Sequence, residues 1–244
     1  MWFELCQEFG GGDAVAYRPS RVLRDGLWHM RARRDAIRSS VRNVSLGPSC
    51  PQWGEQIWVD PKSVHRVYRS YDSARVIHQD LLTEKLSSQI KIQAVYDHFA
   101  SGVSWEETGI FDFLLAEIAR LGSSGGAKSR DDLEIRYQKI DLLFADVKRR
   151  GLLLSTQEAH CLGVARNGRR YRAWGDIGIH ILPNGPCFSG SGHHRLAIAQ
   201  ILSVPLIPAR LGVVHSRMLE AFRYWDGRSA LRPRQSITPL SMSR

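Results

Sequence analysis

The feature that most constrains this chain is the run Phe188-Ser189-Gly190-Ser191-Gly192-His193-His194-Arg195-Leu196-Ala197-Ile198-Ala199. An apolar segment enters a Gly-x-Gly loop, and a helix-forming segment leaves it. Glycine tolerates positive φ and lets backbone come close to a ligand. The first turn of the helix leaves N–H groups unpaired, and the helix dipole adds partial positive charge, so the junction suits a phosphate. His193, His194 and Arg195 add side-chain donors, and Arg195 has the planar fork that grips phosphate oxygens in pairs. The same residues have a second reading, in which the histidines cap the helix and the arginine pairs with a core carboxylate.

The flanking sequence alternates between strand and helix signals. Ile177, Ile179 and Ile181 alternate with Gly178 and His180, which predicts a strand; Pro183-Asn184-Gly185 turns it, and Cys187-Phe188 starts a short return strand. His193 to Leu202 reads as a helix and Leu206 to Leu211 as a final strand. Upstream, Val164-Ala165-Arg166 and Arg169-Arg170-Tyr171-Arg172 flank Asn167-Gly168 and read as a hairpin. Gln56-Ile57-Trp58-Val59-Asp60-Pro61 reads as a short strand that stops at Asp-Pro, because proline cannot extend the ladder. The intervening stretch reads as helical. Val76 to Phe99 carries apolar residues near helical spacing, and Trp105 to Leu121 repeats the pattern with an interruption at Thr108-Gly109. Ser104 and Glu107 form a capping box. Gly122 to Gly126 reads as a flexible connector. Asp131 or Asp132 is expected to cap a helix running to Arg150, with Ile135, Ile140, Leu143, Phe144 and Val147 on one side. Gly151 fits its C-terminal cap, and Lys148, Arg149 and Arg150 suit the negative end of its dipole. Leu27 to Val44 reads as a basic amphipathic helix.

Gly192-His193-His194-Arg195, the following Leu-x-Ile-Ala, and then Ile207-Pro208-x-x-Leu211 resemble the ParB/sulfiredoxin superfamily. Ile57-Trp58-Val59-Asp60-Pro61 is similar to the opening strand of ParB-like domains. Leu143 to Leu152 resembles their helix ending in Ile-x-x-x-Gly-Leu, and Ile177 to Phe188 stands where they have two strands joined by a tight turn. The resemblance runs from about Arg136 to His215 and touches Gln56 to Val64. It leaves out the first fifty residues and the helical stretch between Val76 and Leu121. It implies an α/β (α+β) fold: a compact ParB/sulfiredoxin-like core with a small mixed sheet, a large helical insertion and a basic N-terminal extension. The expected divisions are 1–54 as the extension, 55–215 as the core with the insertion at about 70–130, and 216–244 as a basic tail.

Members of this superfamily hydrolyse CTP and clamp DNA, phosphorylate free serine, or use ATP to repair a sulfinic acid. The resemblance therefore implies a nucleoside triphosphate, ATP or CTP with Mg2+, as ligand. It implies Gly190, Gly192, His194 and Arg195 as its phosphate contacts, to which the reading of the loop and helix start adds Ser191 and His193. The first functional reading is a nucleotide-dependent phosphotransferase or nucleotidase; whether the chain is an enzyme at all stays open. His193 stands where sulfiredoxin has its reactive cysteine, so sulfur chemistry is not expected, and Cys187 lies too early to replace that thiol. Lys139 falls near a phosphate-binding lysine of sulfiredoxin and reads equally as a solvated helix lysine. Asp60, Asp141 and Asp176 are the acids placed near the core by motif position, from which a general base or magnesium ligand would come. Catalytic roles therefore fall on His193, Asp60 and Asp141. Asp60 reads equally as the cap of its turn, and Asp141 as the partner of a neighbouring arginine. His180, in mid-strand, reads as structural.

Composition narrows the alternatives. Of the 244 residues, 43% are apolar and 24% charged, which excludes disorder throughout. Four cysteines without a Cys-x-x-Cys pair indicate neither a zinc ribbon nor a disulfide framework. The start has no basic head followed by an apolar run, and Leu196 to Val214 is broken by Gln200, Pro205, Pro208 and Arg210. A cytoplasmic protein without a membrane partner is expected. The net charge of +10 rests on arginine, 28 of the 34 basic residues, bunched in Arg18 to Arg42, Lys148 to Arg172 and Arg217 to Arg244. Such charge makes non-specific nucleic acid a second candidate partner, although the same arginines serve equally as a solvated surface. The competing functional reading is thus a DNA-associated binding module without small-molecule catalysis. The segment after Leu211 is too short for the multi-helix DNA reader of ParB proteins, which argues against chromosome segregation. A third reading keeps the fold only as an interaction module.

Overall fold

The computed structural model describes residues 54–70, 75–155 and 176–220, together with 34, 37, 38, 41, 43, 46, 51, 52, 158 and 159. Seven strands appear in chain order: β1 (Gln56–Val59), β2 (Arg66–Val67), β3 (Arg75–Ile77), β4 (Glu84–Lys85), β5 (Ile177–Leu182), β6 (Gly185–Phe188) and β7 (Ile207–His215). Four α-helices accompany them among the described residues: α1 (Ile90–Ser101), α2 (Ile110–Leu121), α3 (Arg130–Arg150) and α4 (His193–Ile201). This is a mixed α/β fold of the α+β kind.

β5 and β7 are buried at every position, as strands covered on both faces must be. They run parallel at the centre of one sheet, whose order is β1-β7-β5-β6-β2-β4. The other edge of β7 is shared. β1 pairs antiparallel with its first half, Val59 opposite Ile207, and β3 runs parallel to its second half, Val76 opposite Val214. A two-residue turn joins β5 to β6, and β2 then lies parallel to β6. The register of β5 on β7 shifts between Ile179 and Ile181. His180 explains the shift. Its Nδ1 accepts the Val213 N–H at 2.8 Å, so the ring proton sits on Nε2 and is donated to the Tyr68 carbonyl at 3.1 Å. The histidine takes over a ladder bond, and it fits because residue 212 is glycine: a Cβ there would stand 2.3 Å from Nδ1.

Helix α4 buries Leu196, Ala197, Ile198 and Ala199, and one apolar cluster joins it to the sheet and to α1, α2 and α3. α1 and α4 are also joined through Tyr96, whose hydroxyl donates to Gln200 at 3.2 Å. Gln200 Nε2 in turn donates to the carbonyls of Pro61 and Val64, fixing the turn after β1 to the C-terminal part of α4.

Several sequence expectations are corrected. The run from Val76 to Phe99 is helical only from Ile90; its first part supplies β3 and β4. Pairing of Val76 and Ile77 beside Val213–His215 overrides the helical spacing, and Leu82, an apolar position of the supposed helix, is 97% exposed. The stretch expected as a helical insertion therefore contributes two strands to the sheet. Residues 122–126 are a fixed turn. Ser124 is buried, bridges to Ala127 and hydrogen-bonds Glu117, and the Arg136 guanidinium donates to the carbonyls of Ser124 and Gly125. α3 is capped by Ser129, which accepts the Asp132 N–H, while Asp132 accepts the Lys128 N–H in return. Its buried face is Leu133, Tyr137, Ile140 and Val147; Ile135 is exposed. The Ser104–Glu107 box forms, but it closes the turn before α2, whose own N-cap is Gly109. The hairpin expected at 164–172 and most of the basic stretch from Arg18 to Arg42 lie outside the described residues.

Candidate anion site

The loop 189–192 joins β6 to α4. Gly190 and Gly192 have φ of 91° and 88°, the left-handed region that favours glycine. Gly192 is the N-cap of α4, and a Cβ there would stand 3.0 Å from the Ile177 backbone. The start of β5 thus presses against the loop and holds it. Ser189 N–H donates to the Gly178 carbonyl at 2.9 Å, and Gly178 N–H donates to the Ser191 carbonyl at 3.2 Å. The Ser191 hydroxyl donates to the Asp176 carbonyl at 3.1 Å.

Beneath the loop the sheet has a notch. A Cβ on Gly178 would lie 2.0 Å from the Ser189 hydroxyl and 3.6 Å from Arg210 Nη2. A serine hydroxyl and a guanidinium therefore share the space above one glycine, on residues 2% and 4% exposed. Ser189 Oγ makes no hydrogen bond to the described residues, which is uncommon for a buried hydroxyl.

The two histidines are neutral at pH 7. Burial first, then the charges of Lys91 and Arg69, lower the His193 pKa to about 4. Its ring meets Phe188 edge-on at 4.8 Å. His194 is lowered to about 3 by burial, then by His193, Arg136 and Lys91. Its Nε2 lies 3.4 Å from the Tyr137 hydroxyl. Burial raises the tyrosine pKa above its ordinary value, so the phenol keeps its proton.

Cations gather round the same point from separate segments. The Arg69 side chain passes 3.4 Å from where a Gly190 Cβ would be, and its guanidinium donates to Gln89 Oε1 at 2.6 Å. Gln89 is the N-cap of α1 and Lys91 is in its first turn. Lys91 acts electrostatically on His193 and His194 at the start of α4, while Tyr96, further along α1, bonds Gln200 near the end of α4. The two helices therefore run the same way, and Arg69 links the N-cap of α1 to the glycine loop.

The sequence-predicted residues divide. The structure brings Gly190, Ser191, Gly192, His193 and His194 together. Arg195 is turned into the fold: Nη1 pairs with Asp176 Oδ1 at 3.0 Å and Nη2 donates to the Leu154 carbonyl. This is the carboxylate pairing of its second reading. Lys139 is exposed, two residues on from buried Tyr137 and so on the far side of α3. Asp141 accepts from Trp105 Nε1 at 2.9 Å and lies 3.4 Å from His98 Nε2, within the helical layer. Asp60 caps its turn by accepting the Lys62 N–H at 2.8 Å. That turn is bonded to the C-terminal part of α4, the opposite end from the loop. Arg69, Lys91, Tyr137 and Arg210 were not expected at the site. Of these only Arg210 left a sequence signal, a charge inside an otherwise apolar strand.

Histidine, lysine and arginine at a helix N-terminus form a donor set for an anion. No group of three or more His, Cys, Asp or Glu side chains suited to a metal occurs among the described residues. No protein-family model, curated protein or solved structure matches the chain. Among the described residues no helix is long and apolar enough to cross a membrane.

Proposed function

We propose that the glycine loop binds a nucleotide through its phosphates, and that the chain is a nucleotide-dependent phosphotransferase or nucleotidase. The observation that carries this reading is the convergence at one Gly-x-Gly loop of the α4 N-terminus, two neutral histidines, and Arg69, Lys91 and Arg136 within electrostatic reach. An anion placed there gains backbone N–H donors and charge that is already in position. His193 and His194 then serve as neutral hydrogen-bond partners. A bound phosphate offsets the neighbouring cations and raises both imidazole pKa values toward the range useful for proton transfer. The resemblance to the ParB/sulfiredoxin superfamily supports the same ligand class.

Thermal-shift screening with ATP, CTP, GTP and their diphosphates, with and without magnesium, tests the reading. A ligand at 100 times its dissociation constant stabilises by about 2.7 kcal/mol. At roughly 2–4 °C per kcal/mol for a chain of this size, the midpoint should rise by roughly 5–10 °C. No shift with any nucleotide would overturn the proposal.

A further inference from the structure

We infer that Arg69 is the arginine that grips the phosphate at the glycine loop, and that Gln89 is the positioning residue that aims its guanidinium while leaving its charge to the ligand. The inference rests on the anion reading of the loop, and it gives Arg69 the role to which the motif also suits Arg195. Pairing along β2 continues past Val67. Tyr68 N–H donates to the Phe188 carbonyl at 2.9 Å, and Ser70 N–H donates to the Ser189 carbonyl at 3.2 Å. The chain therefore runs on beside the start of the loop, with Arg69 between the two bonds. Side chains alternate along such a stretch. Val67 packs in the core cluster that includes α4, and Tyr68 meets His180 edge-on at 5.8 Å on the opposite face. Arg69 follows Val67 onto the helical face. There its stem crosses Gly190: a Cβ on that glycine would lie 3.4 Å from Arg69 Cγ and 3.9 Å from its Cα. The guanidinium ends at the N-cap of α1, where Nη2 donates to Gln89 Oε1 at 2.6 Å.

The partner of Arg69 is neutral, which suits the arginine to an anion. Gln89 is 4% exposed, and its Nε2 donates to Glu84 Oε2 at 3.0 Å. The amide orientation is forced, because a guanidinium only donates and a carboxylate only accepts. Gln89 is thus a spacer between cation and acid. It fixes Nη2, and it keeps the Glu84 carboxylate one side chain away from Arg69. No carboxylate among the described residues pairs with Arg69, whereas Asp176 offsets the charge of Arg195. Arg69 is also exposed, so the donors that Gln89 does not use can meet a ligand from solvent. An arginine held at one corner of its planar fork, with the rest of the fork open, is built to take phosphate oxygens.

Calorimetry with Mg-ADP at low salt tests this on the wild type, on Arg69→Ala, on Arg69→Lys, and on the exchange pair Glu84→Gln with Gln89→Glu. Arg69→Ala should weaken binding by about 10- to 150-fold, the range for one charge-assisted contact. Arg69→Lys should fall between, since a point charge cannot reproduce the fork. Both should melt with the wild type, because the side chain is exposed. The exchange pair conserves net charge and both hydrogen bonds but moves the carboxylate against Arg69. A purely structural role for Gln89 predicts unchanged affinity in this pair. The positioning role predicts wild-type melting with Mg-ADP weakened by about tenfold. Arg69→Ala binding within about twofold of wild type would overturn the assignment of Arg69. Loss in Arg69→Ala without loss in the exchange pair, or an exchange pair that melts well below wild type, would overturn the role of Gln89 and leave the arginine standing. Failure of Mg-ADP to bind the wild type would overturn the anion reading and this inference with it.

Discussion

Replacing Arg195 by alanine is the most informative single perturbation, because its motif suits it both to a phosphate and to a core carboxylate, and the structure shows the carboxylate pair. The guanidinium pairs with Asp176 at 3.0 Å, and the two side chains are 16% and 13% exposed. It also donates to the Leu154 carbonyl. It thereby ties together the chain after α3, the entry to β5, and the first turn of α4. Removing it takes a charged partner from a largely buried carboxylate and a donor from a carbonyl, a change that costs about 3–5 kcal/mol in comparable pairs. For a chain of this length the apo melting midpoint should fall by roughly 6–20 °C. Lysine at this position keeps the charge but cannot reproduce the fork, so Arg195→Lys should fall between the two. Asp176→Asn in the alanine background removes the carboxylate charge that Arg195 offsets and should recover part of the loss, with a coupling of about 0.5–3 kcal/mol in the double-mutant cycle. The assay is thermal melting without ligand, alongside nucleotide affinity. An alanine variant that melts within about 3 °C of wild type yet binds nucleotide more than tenfold more weakly would refute the positioning role and make Arg195 a direct phosphate contact.

Two further results are expected from the site itself. Gly178→Ala drives a methyl into the Ser189 hydroxyl and should destabilise by at least about 1–3 kcal/mol, whereas Ser189→Ala removes a buried hydroxyl without a described partner and should be neutral or stabilising; denaturant melts of both variants and of the double variant, in which part of the loss returns, check this. The folded-state pKa values of His193 and His194 are lowered to about 4 and about 3, below the ordinary value of an unfolded histidine. The unfolded chain therefore binds more protons as the pH falls, so stability is full above about pH 6.5 and declines toward pH 4. Melting series should show a shallower decline for His194→Gln than for wild type, and an equal slope would contradict the assignment.

The loop was legible because its requirements are local. Gly190 and Gly192 adopt the left-handed conformation that the Gly-x-Gly spacing announces, and the alternation Ile177, Ile179, Ile181 marks β5. Asp60-Pro61 ended β1 for a reason contained in two residues. What completes the site is not local. Arg69, Lys91 and Tyr137 come from segments 50 or more residues away; pairing of β2 with β6 places Arg69, and the packing of α1 and α3 against α4 places the other two. Gly178 reads as an ordinary strand glycine until Ser189 and Arg210 are placed above it. Arg195 had two readings because its partner, Asp176, lies 19 residues away, with β5, β6 and the glycine loop between them. The short strands β3 and β4 were hidden by apolar spacing that fits a helix, and pairing with β7 and β2 decided the matter.

The central claim is that an anion sits at the glycine loop, where α4 begins. Backbone amide NMR of the deuterated protein, titrated with Mg-ADP at low salt, tests it most directly. The account predicts saturable shifts that are largest at Gly190, Ser191, Gly192, His193 and His194, with a second group at Lys91 in the first turn of α1. Amides of Asp60 and Lys139, placed away from the loop, should stay still. Saturating shifts that spare the loop, or that centre on Asp60 or Lys139, would contradict it.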